Sequence, residues 1–103
     1  MSLLMEFAMF PMDKGESVSE YVSRVARVVN DSGLNYRLGP MGTVVEGETD
    51  EVLALLRKCM MEMQTESKRV YATVKLDWRV GREDGLDSKV ESVQSRTDES
   101  IRT

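Results

Sequence analysis

Glu6, Glu46, Lys75, Asp77 and Arg79 are the charged side chains that strand periodicity can bring onto one surface. In a chain with no histidine and one cysteine, Cys59, they define most of the available polar chemistry. Without an imidazole, the usual general base and the commonest metal ligand are missing. One thiol allows neither an intrachain disulfide nor a thiolate metal cluster. Carboxylates and cations sharing a sheet surface can neutralise one another, or they can exchange hydrogen bonds with a small polar ligand. The segment Gly39-Pro40-Met41-Gly42 lies beside Glu46 in sequence. Its glycines let backbone approach a ligand closely, and its proline limits the loop's freedom.

Several elements must position these groups. Leu4 to Met12 alternates as a strand, with Met5, Phe7 and Met9 on one side and Glu6, Ala8 and Phe10 on the other, and Pro11 is expected to end it. Ser17-Val18-Ser19-Glu20 matches a capping box. Val18, Tyr21, Val22, Val25, Val28 and Val29 then recur at helical spacing, predicting a helix from Val18 to Ser32 with Gly33 as a left-handed cap. Asn35–Leu38 and Thr43–Glu46 read as two strands of a hairpin closed by Gly39–Gly42. Thr49 is expected to cap a second helix, with Asp50 and Glu51 at its positive end and an apolar stripe of Val52, Leu55, Leu56, Cys59, Met60 and Met63. Within that stripe Cys59 reads as a core residue rather than a reactive thiol. Arg69 to Val80 is the longest strand, with Val70, Ala72, Val74, Leu76 and Trp78 facing one way and Tyr71, Thr73, Lys75, Asp77 and Arg79 the other. Leu86, Val90 and Val93 suggest a short, thinly apolar third helix, followed by a polar tail over 97–103.

This β-α-β-β-α-β order predicts an α+β, ferredoxin-like sandwich: a four-stranded antiparallel sheet with two helices on one face. Residues 1–96 form the single domain. The expected core contains Val22, Val25, Leu55, Leu56, Val74 and Leu76. Strands one and three take the centre of the sheet, and strand four lies beside strand one. The far face is then uncovered and carries Glu6, Ala8, Phe10, Val44, Glu46, Lys75 and Asp77. Such a face reads either as a solvated lattice of ion pairs or as part of a site.

The bulk composition narrows the function. A net charge of −4 and a pI of about 4.9 argue against a nucleic-acid backbone as partner. No apolar run approaches the roughly 18 residues of a spanning helix, so a membrane partner is not expected. The N-terminus lacks a signal peptide's basic and apolar regions, and the expected compartment is the cytoplasm.

Pro11 with Gly15, Ser17-Val18-Ser19 before Tyr21-Val22, Ser32-Gly33-Leu34, Gly39-Pro40-Met41-Gly42-Thr43, Glu46-Gly47-Glu48, and Asp77 with Arg79 together resemble the small thiamine-binding proteins of the YkoF-like superfamily. Lys89-Val90 and Ser92-Val93 extend the likeness, which covers roughly Met5 to Val93. The resemblance implies a ferredoxin-like fold pairing through its sheets into dimers and tetramers. It also implies binding of thiamine or its hydroxymethylpyrimidine moiety, with no catalysis and no cofactor. The chain departs from the family pattern at Asp13 and Lys14, where a more Gly-like loop is expected, and at Trp78, where a polar residue is expected.

For such a cationic aminopyrimidine, Glu6 and Glu46 are candidate acceptors. Phe10, Tyr36 and Met41 are candidate walls, and the Thr43 hydroxyl can donate or accept. Ala8, Gly42, Lys75 and Asp77 complete the expected site. Other functions of the fold fit less well. Only Lys14 is available where an acylphosphatase-like enzyme needs an arginine after strand one. The Cys-x-x-Cys of a copper chaperone is missing. The mixed-sign sheet face does not resemble an RNA-recognition surface. An amino-acid-sensing regulatory domain and a ligand-free structural oligomer remain the alternatives.

Overall fold

The alternation at the start of the chain forms β1 (Leu3–Pro11), and the remaining elements follow as α1 (Ser19–Asp31), β2 (Asn35–Leu38), β3 (Thr43–Gly47), α2 (Thr49–Gln64), β4 (Val70–Trp78) and α3 (Gly85–Arg96). The computed structural model describes residues 2–15, 18–81 and 85–96. The sheet order is β2-β3-β1-β4 with every pairing antiparallel, which is the ferredoxin-like sandwich.

The register follows from burial. Met5, Phe7 and Met9 lie opposite Leu76, Val74 and Ala72 of β4, so all six side chains share the helix-facing side. Val45 joins them from β3, opposite Met5. Val25 and Val29 of α1, with Val52, Leu55, Cys59 and Met63 of α2, close the core over this face. Each fully buried aliphatic side chain contributes roughly 1.5–3 kcal/mol, so weak helix formers such as the α1 valines are held by packing rather than propensity. Lys75 faces the other side, opposite Glu6, in the expected register.

The boundaries and caps differ from expectation in places. β4 ends at Trp78, so Arg79 falls beyond it, and β1 includes Pro11. Val18, not a serine, is the N-cap of α1, without a side-chain cap bond; Ser17 lies outside the described residues. Glu48 rather than Thr49 caps α2, in a capping box with Glu51, whose carboxylate accepts from the Glu48 N–H at 3.2 Å.

Two corrections concern coverage of the sheet. Val22, Val74 and Leu76, expected in the core, are 48%, 39% and 53% exposed. The helices pack chiefly over β1, and the C-terminal half of the edge strand β4 extends past them, leaving Trp78 exposed as well. The far face, expected to be open, is partly covered by α3. Leu86 buries itself there, as does Leu4. Arg37 pairs with Asp87, and Lys89 pairs with Asp77. The α3 sequence is too thinly apolar to dock by burial alone. Its N-terminus is anchored by the Glu46 carboxylate, which accepts from Gly85 N at 2.6 Å and Leu86 N at 3.3 Å.

Candidate ligand-binding site

A pocket of about 480 Å³ opens between α1, the C-terminal half of β1 and the loop joining β2 to β3. β3 accompanies β1 only as far as Phe7, which lies opposite Thr43. Beyond that point the hairpin turns away while β1 continues to Pro11 on β4 alone, and the vacated space is the pocket. The turn depends on two glycines. A Cβ on Gly39 would sit 2.7 Å from the Gly42 carbonyl oxygen, and one on Gly42 would sit 3.2 Å from the Phe7 carbonyl oxygen, so a larger residue at either position would push the loop off β1.

On the other wall, Ser19, Val22, Ser23 and Ala26 follow the 3–4 spacing of one helical face. Their small volumes leave room that larger residues would fill. Ser23 hydrogen-bonds the Glu20 carbonyl at 2.7 Å. The loop that brings α1 to this position is tied down by Asp13, which accepts from Ser67 Oγ at 2.6 Å and from the Lys68 N–H at 2.8 Å. Those bonds hold the Asp13 carboxyl below the usual carboxylate range. The Arg24 guanidinium stacks 5.2 Å above Tyr21 and reaches Glu66 at 3.2 Å, fastening α1 to the end of α2; the bond to Glu66 raises its pKa.

Of the residues expected at the site, Ala8, Phe10, Met41, Gly42 and Thr43 line this pocket. Glu6 and Lys75 lie next to it in a cavity of about 30 Å³ on the far face, which shares Phe7, Ala8 and Met41 with the larger pocket. Their charges stand 3.8 Å apart, and both side chains are well exposed. The Phe10 and Tyr71 rings meet across the strands at 5.8 Å on that same face.

Three expected residues lie elsewhere. Tyr36 is opposite the buried Val45, on the helix side of the sheet, and its hydroxyl donates to Asn30 Oδ1 at 2.8 Å. Asp77 pairs with Lys89. Glu46 is 6% exposed, and its carboxylate is taken up within the chain by Gly85, Leu86 and Ser2, whose hydroxyl donates at 2.7 Å. Among the described residues the pocket lining contains no charged side chain, and its polar contacts come from Ser19, Ser23, Thr43 and exposed backbone. The α1 contribution was legible only as a run of small residues on one helix face, a pattern that reads equally well as a solvent-facing side.

Among the described residues no group of acidic, cysteine or histidine side chains is arranged to hold a metal, and no helix is long and apolar enough to cross a membrane. Cys59 is fully buried, and burial pushes its thiol up to about 11.

A model of a family described as "Thiamine-binding protein" matches residues 5–94. The chain belongs to this thiamine-binding protein family. A UPF0045 protein of Mycobacterium bovis is 40% identical over 95 residues, covering 91% of this chain and 93% of that protein. Among solved structures, a hypothetical protein of Methanocaldococcus jannaschii superposes with a TM-score of 0.83 at 29% identity, covering 89% of this chain and 95% of that one. A Thermotoga maritima protein provisionally assigned to thiamine biosynthesis or salvage has a TM-score of 0.81, covering 91% of this chain and 100% of that one; at 20% identity it speaks for the fold alone. The matched span of the thiamine-binding protein family begins within β1 and reaches into α3, so it includes every element that shapes the pocket.

Proposed function

We propose that this member of the thiamine-binding protein family is a non-catalytic carrier or sensor of a small heterocycle, thiamine or its hydroxymethylpyrimidine moiety, working as a homo-oligomer. The observation that carries the reading is the pocket itself. It is formed on the Gly39–Thr43 loop, and its volume of about 480 Å³ falls within the roughly 300–1,000 Å³ typical of small-molecule sites. The lining, uncharged and largely apolar among the described residues, suits a neutral aminopyrimidine ring. The thiazolium of thiamine then extends toward Glu6, in the adjoining cavity on the far face. Lys75 is close enough to Glu6 to compete for it, but at 3.8 Å between exposed groups that attraction is weak.

Association is supported by the uncovered strip Val74, Leu76 and Trp78 on the edge strand β4, because an exposed edge with apolar side chains is a surface that pairing removes from water.

Isothermal calorimetry with thiamine, thiamine diphosphate and hydroxymethylpyrimidine tests the reading. Saturable binding of thiamine and the pyrimidine is expected, with the diphosphate weaker because the site offers little positive charge. Ala26→Leu, which fills the pocket from α1, should abolish binding while leaving the fold intact. Absence of saturable binding by all three compounds, or undiminished binding by Ala26→Leu, would refute this site.

A further inference from the structure

Glu46, the carboxylate best placed in sequence to accept from an amino group, is committed to α3. The pocket must therefore recognise a polar ligand with something else, and the hydrogen-bond parity of β1 identifies it. Between β2 and β3, Gly39 N–H donates to the Gly42 carbonyl at 2.9 Å, one step beyond the register pairs Arg37–Val44 and Asn35–Glu46. The backbone groups of Val44 and Glu46 thus point to β2, and those of Thr43, Val45 and Gly47 point to β1. Their register partners there are Phe7, Met5 and Leu3. On the opposite edge, Met12 N–H donates to the Arg69 carbonyl at 2.8 Å, so even-numbered β1 residues bond β4. Odd-numbered ones face β3.

Met9 is the next odd residue after Phe7, and β3 has ended by then. Its N–H and C=O point into the vacated space, and among the described residues the register supplies them with no partner on that side. Met9 packs its side chain into the core yet lines the pocket, and backbone groups of a residue only 5% exposed are nearly always paired, so a water or a ligand in the pocket must meet them. The next odd residue is Pro11, which has no N–H to leave unpaired. A proline at that parity is what a strand edge with a missing neighbour tolerates.

We propose that the vacant edge of β1 at Met9 recognises a planar aminoheterocycle edge-on, its N–H donating to a ring nitrogen and its C=O accepting from the adjacent amino group. The ring lies in continuation of the sheet, in the place of the next β3 residue. Val22 of α1 and Met41 of the loop flank it. This inference rests on the binding function proposed above and names the group that confers its chemical selectivity: an amino group beside a ring nitrogen, rather than a charge.

The test is an amide NMR titration of the full-length ¹⁵N-labelled chain with 4-amino-5-hydroxymethyl-2-methylpyrimidine and with its 4-dimethylamino analogue, which keeps the ring but cannot donate. With the aminopyrimidine, the Met9 amide proton is expected to move downfield and to exchange with solvent more slowly. The analogue should bind about tenfold weaker, the scale of one lost hydrogen bond with its partner left unsatisfied. A response of Val22 and Thr43 with a silent Met9 amide would overturn edge recognition while leaving the pocket reading in place. A Met9 amide already protected before ligand is added would overturn it too, since chain or a second copy would then occupy the edge. If no amide responds to thiamine or the pyrimidine, the binding reading fails and this inference fails with it.

Discussion

Replacing Glu46 by Gln should release α3 from the sheet without unfolding the rest of the domain. The Glu46 carboxylate accepts from Ser2 Oγ at 2.7 Å, Gly85 N at 2.6 Å and Leu86 N at 3.3 Å, and it is 6% exposed. A hydrogen bond to a charged group is worth about 1.5–3 kcal/mol and one between neutral groups about 0.5–1.5 kcal/mol. Glutamine keeps one acceptor oxygen. If it takes the place of the oxygen shared by Ser2 and Gly85, each of those two bonds weakens by about 1 kcal/mol. The new amide group then confronts the Leu86 N–H, donor against donor, leaving that N–H unsatisfied at a further cost of about 1 kcal/mol. The loss of the favourable negative charge at the helix N-terminus acts in the same direction. The sum, about 3 kcal/mol, corresponds to roughly a hundredfold increase in the undocked population of α3. Native-state hydrogen exchange reads this directly: the α3 amides should lose about two orders of magnitude of protection, while those of Met5 and Val29 in the core stay unchanged. The result that would refute the reasoning is unaltered α3 protection together with reduced ligand affinity. That outcome would mean Glu46 serves the ligand rather than the helix.

The other predictions concern the edge strand and the buried thiol. Trp78, the only tryptophan in the chain and 51% exposed on β4, should show blue-shifted emission if association covers it. Leu76→Arg should then give a monomer by light scattering, with red-shifted emission and unchanged secondary structure; a wild-type monomer with fully red emission would count against pairing through this strip. Cys59 should resist thiol reagents at pH 8 in the folded state and react readily once unfolded. Its thiol is raised from 9.0 to about 11 by burial. The folded state therefore holds this proton more tightly than the unfolded state, and stability should fall as pH rises from about 9 toward 11. Cys59→Ser should remove that alkaline dependence, although the hydroxyl in an apolar core lowers stability at every pH. Equal alkaline slopes in both proteins would contradict the assignment.

The sequence determined the sandwich, because alternation in β1 and β4 and the 3–4 spacing in α1 and α2 are local patterns that only one register can bury. It also placed the loop at Gly39–Gly42 beside the candidate site, since turn chemistry is written in residue type. It could not assign Glu46. A carboxylate on the far face reads the same whether it faces solvent, a ligand or a helix end, and the partner that occupies it is some 40 residues away in sequence. The exposure of Val74 and Leu76 was equally hidden, because periodicity reports which face a side chain takes but not how far the helices extend over it. Tyr36 likewise took the helix side by its register with Val45. The pocket itself was decided by the tertiary structure. It exists because β3 stops at its pairing with Phe7 while β1 runs on to Pro11, and that mismatch in strand length becomes visible only when the strands are laid side by side.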